Sequence, residues 1–113
     1  MPSSKGQKNI PAFHRILLMR YERYVVAYDV ANTKRRNKVS KILKGCGERV
    51  NLSVFECELE KGKLPLLRDK ISKIVKKKED IVIYYPLCLD CLARIESDGK
   101  GIERQYDKSL LSI

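Results

Sequence analysis

The stretch "VAYDVANTKRRNKVSKIL", Val26 to Leu43, joins an apolar run to a basic helix through a single acid, Asp29. The preceding residues complete "RYVVAYD" (23–29), which is short, β-branched and aromatic and predicts a buried strand. Downstream, the side chain of Asn32 or Thr33 is placed to accept a first-turn N–H and so cap a helix running to about Lys44. Val39, Ile42, Leu43 and Cys46 recur at i, i+3, i+4 and i+7, one apolar stripe. Lys34, Arg35, Lys38, Lys41 and Lys44 make the opposite face. Gly45 or Gly47 is expected to end the helix in the left-handed conformation.

The same reading extends along the chain. "ERVNLSVFECELEKG" (48–62) is extended, and its alternation slips near Asn51 to Ser53, which predicts a bulge or a turn between two strands. "KLPLLRDKISKIVKK" restores helical spacing through Leu64, Leu67, Ile71, Ile74 and Val75, with Pro65 tolerable in the first turn. "EDIVIYYPL" (79–87) is a buried strand stopped by Pro86, and "CLARIE" reads as one more short strand. The fold class is therefore α+β, a ferredoxin-like split βαβ sandwich in the order β-α-β-β-α-β plus a C-terminal strand. Residues 1–18 read as an N-terminal extension, and 19–113 as a single domain whose "SLLSI" end adds a strand to a partner copy.

Composition narrows the function classes. With 113 residues the chain can bury a core without disulfides. A net charge of +10 favours a polyanionic partner, above all nucleic acid. No apolar run reaches the roughly 20 residues of a membrane helix, so no membrane partner is expected. Four cysteines with no secretory leader point to a reducing, cytoplasmic setting. His14, the single histidine, lies in the extension and is given no chemistry.

The quoted elements, "YVVAYDV", "KRRNKVSKILKGCGERV", "SVFECEL" and "IVIYYPLCLDC", resemble the CRISPR-associated protein 2 family, the small subunit of the spacer-acquisition machinery. The likeness runs from about Tyr24 to Glu96. It implies a symmetric homodimer acting in CRISPR adaptation. It also implies one of two activities: a metal-dependent endonuclease on RNA or double-stranded DNA, or a non-catalytic DNA-binding bridge between copies of the integrase subunit. By the same resemblance, Asp29 is the metal ligand and catalytic position, with Tyr28 before it. Arg35 and Arg36 match the family's basic cluster, and Ser53 and Phe55 match its serine and phenylalanine.

The chemistry of these residue types agrees with that implication. Magnesium takes one or two carboxylates, several waters and substrate phosphate. One aspartate per chain meets this need when a two-fold axis supplies a second. Lys34, Arg35, Arg36, Lys38 and Arg49 are expected to bind phosphates, which positions a duplex without reading its sequence. Cations in a first helical turn oppose the helix dipole, which favours a functional reason for them. Asp29 has a plainer alternative, ending the strand and capping a turn. Tyr28, Ser53 and Phe55 are expected to support the sheet and the dimer. A single-strand RNA binder would stack bases on paired aromatics, and this strand offers only Phe55. "CLDC" (88–91) lacks the two further ligands of a structural zinc site; a thioredoxin-like redox pair would open a helix after the strand, and no such helix is legible, so its thiols are expected to be buried.

Overall fold

The computed structural model describes residues 20–99. The proposed extension, most of the "SDGKG" turn's far side and the "SLLSI" strand lie outside the described residues. The elements are β1 (Tyr21–Asp29), α1 (Thr33–Lys44), β2 (Gly47–Asn51), β3 (Val54–Glu60), α2 (Leu64–Ser72), β4 (Ile81–Leu87) and α3 (Leu89–Ala93). The strands form one antiparallel sheet in the order β2-β3-β1-β4. β3 thus separates β1 from β2, and β1 separates β3 from β4, the pairing of the split βαβ arrangement.

Strand periodicity sorts the side chains onto two faces. Tyr24, Val26 and Tyr28 of β1 and Phe55 and Cys57 of β3 point to the helix-covered side, where they join Val39, Leu43, Leu67 and Ile71 in the core. The register pairs Val26 with both Phe55 and Tyr84, so the centre of the core is a row across three strands. The other face carries Val25, Ala27 and Asp29 beside Tyr85, Ile83 and Ile81. Of these, Ile81 is 53% exposed and Tyr85 50%, leaving that face partly open.

Local details follow from single residues. Asn32 caps α1, its side chain accepting from the Arg35 N–H at 2.9 Å. The predicted slip resolves into both alternatives: a turn at Leu52–Ser53 and a register shift between Arg49 and Asn51. Gly45 does not take the left-handed form, its φ being −73°; the last turn tightens through its N–H to Ile42 and Leu43 instead. Gly47 is needed for space, because a Cβ there would lie 2.0 Å from the Glu56 carbonyl oxygen. α2 stops at Ser72, yet Ile74 and Val75 still pack on the core.

The expected strand in "CLARIE" is a correction. Leu89–Ala93 is a single helical turn, capped by the Cys88 side chain and anchored by buried Leu92. A five-residue apolar run gives too short a period to separate helix from strand.

Truncating the centre of the core should be expensive. Phe55→Ala is expected to lower the unfolding free energy by about 3–5 kcal/mol in a denaturant titration. Leu52→Ala, at an 82% exposed position, is expected to stay within about 0.5 kcal/mol of the parent.

Candidate functional site

Asp29 is the last residue of β1 and is exposed. Among the described residues its carboxylate makes no hydrogen bond or ion pair. The capping alternative therefore falls away, since Asn32 caps the helix and a different acid holds the turn. That acid is Asp80, whose side chain has no exposed surface. It accepts from the Ala31 N–H at 3.2 Å and the Lys76 N–H at 2.9 Å. Arg35 donates to it twice, Nε at 2.8 Å and Nη2 at 3.1 Å. The Arg35 guanidinium and these backbone N–H groups hold the Asp80 carboxyl well below the usual carboxylate range.

Arg35 is engaged within its own chain. Its guanidinium is paired through Nε and Nη2 with Asp80 and with Glu79, at 3.3 Å, and its side chain is only 15% exposed. Lys34 and Lys38 are exposed on the outer surface of α1.

Arg36 and Arg49 do converge with Asp29. A cavity of about 480 Å³ is lined by Tyr28, Asp29, Val30, Arg36, Asn37, Ser40, Arg49, Leu52 and Ser53. Arg36 is oriented by its own loop and helix, donating to the Val30 carbonyl and Thr33 hydroxyl, each at 2.9 Å. Arg49 donates to Ser40 Oγ at 2.6 Å and to the Leu52 carbonyl, and it lies 5.0 Å over the Phe55 ring. Tyr28 stacks on Phe55, with ring centroids 6.3 Å apart. Its hydroxyl donates to the Leu52 carbonyl at 3.3 Å, and its N–H to the Ser53 carbonyl at 3.0 Å. The β2–β3 turn is therefore clasped from both sides and forms one wall of the cavity.

Tyr28 and Ser53 both line the cavity. Phe55 is wholly buried inside its own chain, beneath Arg49, and has no surface to offer a partner. Asn37, Ser40 and Asp80 are contributors that the sequence reading missed. Thr33, Arg36, Asn37 and Ser40 recur at i, i+3, i+4 and i+7, a polar stripe that carried the signal. The described residues contain no group of three or more His, Cys, Asp or Glu able to hold a metal. The cavity has one carboxylate, Asp29, beside two guanidinium groups. That donor set fits a hard cation only as one carboxylate of a shared site completed by waters and phosphate.

The thiols are a second correction. Cys88 and Cys91 are exposed, and only Cys57 is buried. β4 runs through Pro86 to Leu87, and the pair lies beyond it at the start of α3, so strand burial does not extend to them.

The comparisons agree with this architecture. The family described as CRISPR associated protein Cas2 matches residues 22–95. A Synechocystis protein named CRISPR-associated endoribonuclease Cas2 3 is 40% identical over 77 residues, 68% of this chain and 84% of that protein. Among solved structures, Streptococcus pyogenes Cas2 at pH 6.5 superposes with a TM-score of 0.61 at 31% identity, covering 68% of this chain and 99% of that one. A chain of a partial Cas6-RT-Cas1–Cas2 complex gives a TM-score of 0.60 at 30% identity, covering 68% of this chain and 84% of that one.

The Asp80 contacts predict a specific acid response. A depressed carboxyl contributes stability above its unfolded value, about 3.9, and that contribution drains away as pH falls towards the folded value. In urea titrations, the wild-type midpoint should fall below about pH 4 more steeply than that of Asp80→Asn. The variant should already be less stable at neutral pH, having lost acceptor capacity for Arg35 and Lys76.

Proposed function

The chain belongs to the CRISPR associated protein Cas2 family, and from that premise we propose that it serves CRISPR adaptation as a homodimeric, nucleic-acid-binding endonuclease. The observation that carries this reading is the Asp29 carboxylate, unpartnered among the described residues and placed between a cation-lined cavity and an open sheet face that is apolar along β4. The strand register puts Asp29 at the end of the row that includes Ile83 and Tyr85. A two-fold contact through that face buries the exposed apolar side chains and brings two Asp29 residues to one rim. In this reading residues 19–113 form one domain, and its last residues lend a strand to the partner.

Each residue then has a task. The two Asp29 carboxylates hold a divalent cation, magnesium in the first instance. When bound, the ion supplies a more acidic water and stabilises charge on the phosphate. Arg36 and Arg49, already oriented by internal hydrogen bonds, bind phosphodiester oxygens with little further ordering. Lys34 and Lys38 extend the cationic track along α1. Asn37 and Ser40 offer uncharged donors at the cavity wall. Such contacts follow a backbone and leave sequence unread. Duplex DNA is the first substrate to test, with single-stranded RNA beside it because the relatives are named endoribonucleases. The integrase subunit is the proposed protein partner, supported by the Cas1–Cas2 complex to which the fold is similar.

A second reading has its own observation. Among the described residues Asp29 is the only carboxylate lining the cavity, and none of them offers a separate general base there. A non-catalytic scaffold that holds DNA for the integrase needs the cations and not the acid.

One experiment separates the two. Wild type, Asp29→Ala and the double charge reversal Arg36→Glu/Arg49→Glu are assayed for cleavage and for DNA affinity across a salt series. A nuclease loses cleavage by orders of magnitude in Asp29→Ala while still binding DNA. The reversal should weaken binding and reduce the salt slope by about 2, one for each lost phosphate contact. Cleavage unchanged in Asp29→Ala would reject the catalytic assignment, and an unchanged salt slope would reject the surface.

A further inference from the structure

Cys88 and Cys91 stand apart from the nucleic-acid surface. They follow β4, and both are exposed. Cys88 has an extended backbone, φ −83° and ψ 167°, and turns its side chain back over α3. Its sulfur accepts the Cys91 N–H at 3.3 Å. Beside them opens a cavity of about 330 Å³, lined in part by Cys88, Tyr24 and Lys61. Of the other two cysteines, Cys46 is half-buried and Cys57 is buried in the sheet.

We propose that Cys88 and Cys91 form a redox site, a thiol pair that a small-molecule disulfide of the glutathione class converts reversibly to an intramolecular disulfide. Cys88 is the attacking group, since it is the sulfur that receives the Cys91 N–H and borders open space. That hydrogen bond from the Cys91 backbone also lowers its pKa, which raises the thiolate fraction. The Cys88 thiolate attacks one sulfur of the oxidised tripeptide, forming a mixed disulfide and expelling one glutathione thiolate. Cys91 then loses its proton and attacks Cys88 Sγ, closing the intramolecular bond and expelling the second glutathione. Two protein thiols are oxidised, two electrons pass to the small disulfide, and two glutathione thiols leave. Attack within one helical turn needs no loop closure, so the second step outpaces exchange with a second copy.

The test uses the full chain, reduced and then equilibrated in a series of reduced and oxidised glutathione. Free thiols are trapped by alkylation, and the product is read by intact mass and peptide mapping. The proposal expects loss of two hydrogens, with Cys88 and Cys91 joined in one peptide and Cys57 alkylated only after unfolding. Cys91→Ser should halt at a glutathione adduct on Cys88, and Cys88→Ser should lose most of the reactivity at this site. Thiols that stay reduced throughout the series, or that oxidise only between copies, overturn it. An adduct that forms on Cys91 in preference to Cys88 overturns the assignment of the attacking sulfur.

Discussion

The buried Asp80 carboxylate is the constraint on which the site depends. It ties the turn after β1, the end of the α2 region and the first turn of α1 into one cluster, through Ala31, Lys76 and Arg35. A charge without exposed surface is tolerated when its oxygens are saturated by donors, and here four hydrogen bonds do so. The consequence is positional. β1 ends where β4 begins, Asp29 opposite Ile81, which is one residue beyond Asp80. Asp29 is therefore exposed on a fixed support rather than on a loose loop.

The two faces of the sheet divide the work. On the covered face, Tyr28, Phe55 and Arg49 stack in sequence and hold the β2–β3 turn against the helix. That packing shapes the cavity and aims a guanidinium into it at small entropic cost on binding. On the open face, an apolar row leads along β4 to Asp29. Asp29, at the junction of both, borders the cavity and the open face together.

Local pattern accounts for much of this. The strand before Asp29, the Asn32 cap and the stripe through Val39 and Leu43 follow from short-range periodicity and capping chemistry. The order of elements then leaves few ways to pair the strands. What local pattern could not carry is pairing across distance. Arg35 and Asp80 are 45 residues apart, and nothing beside either one marks the other as its partner. In sequence Arg35 resembles Arg36, yet one turns to an internal acid and the other to the cavity. Ser40 was hidden in the same way, beside an apolar stripe and bonded to an arginine on the next strand. The exposure of Cys88 and Cys91 depends on the chain leaving the sheet after Leu87, which their own spacing does not encode.

The central claim is that two copies of Asp29 share one cation. Calorimetric titration of the purified protein with Mn²⁺, alongside sedimentation to fix the oligomeric state, tests it directly. The account predicts one ion bound per two chains, and no binding in Asp29→Asn while the dimer persists. One ion per chain, or undiminished binding in that variant, would contradict it.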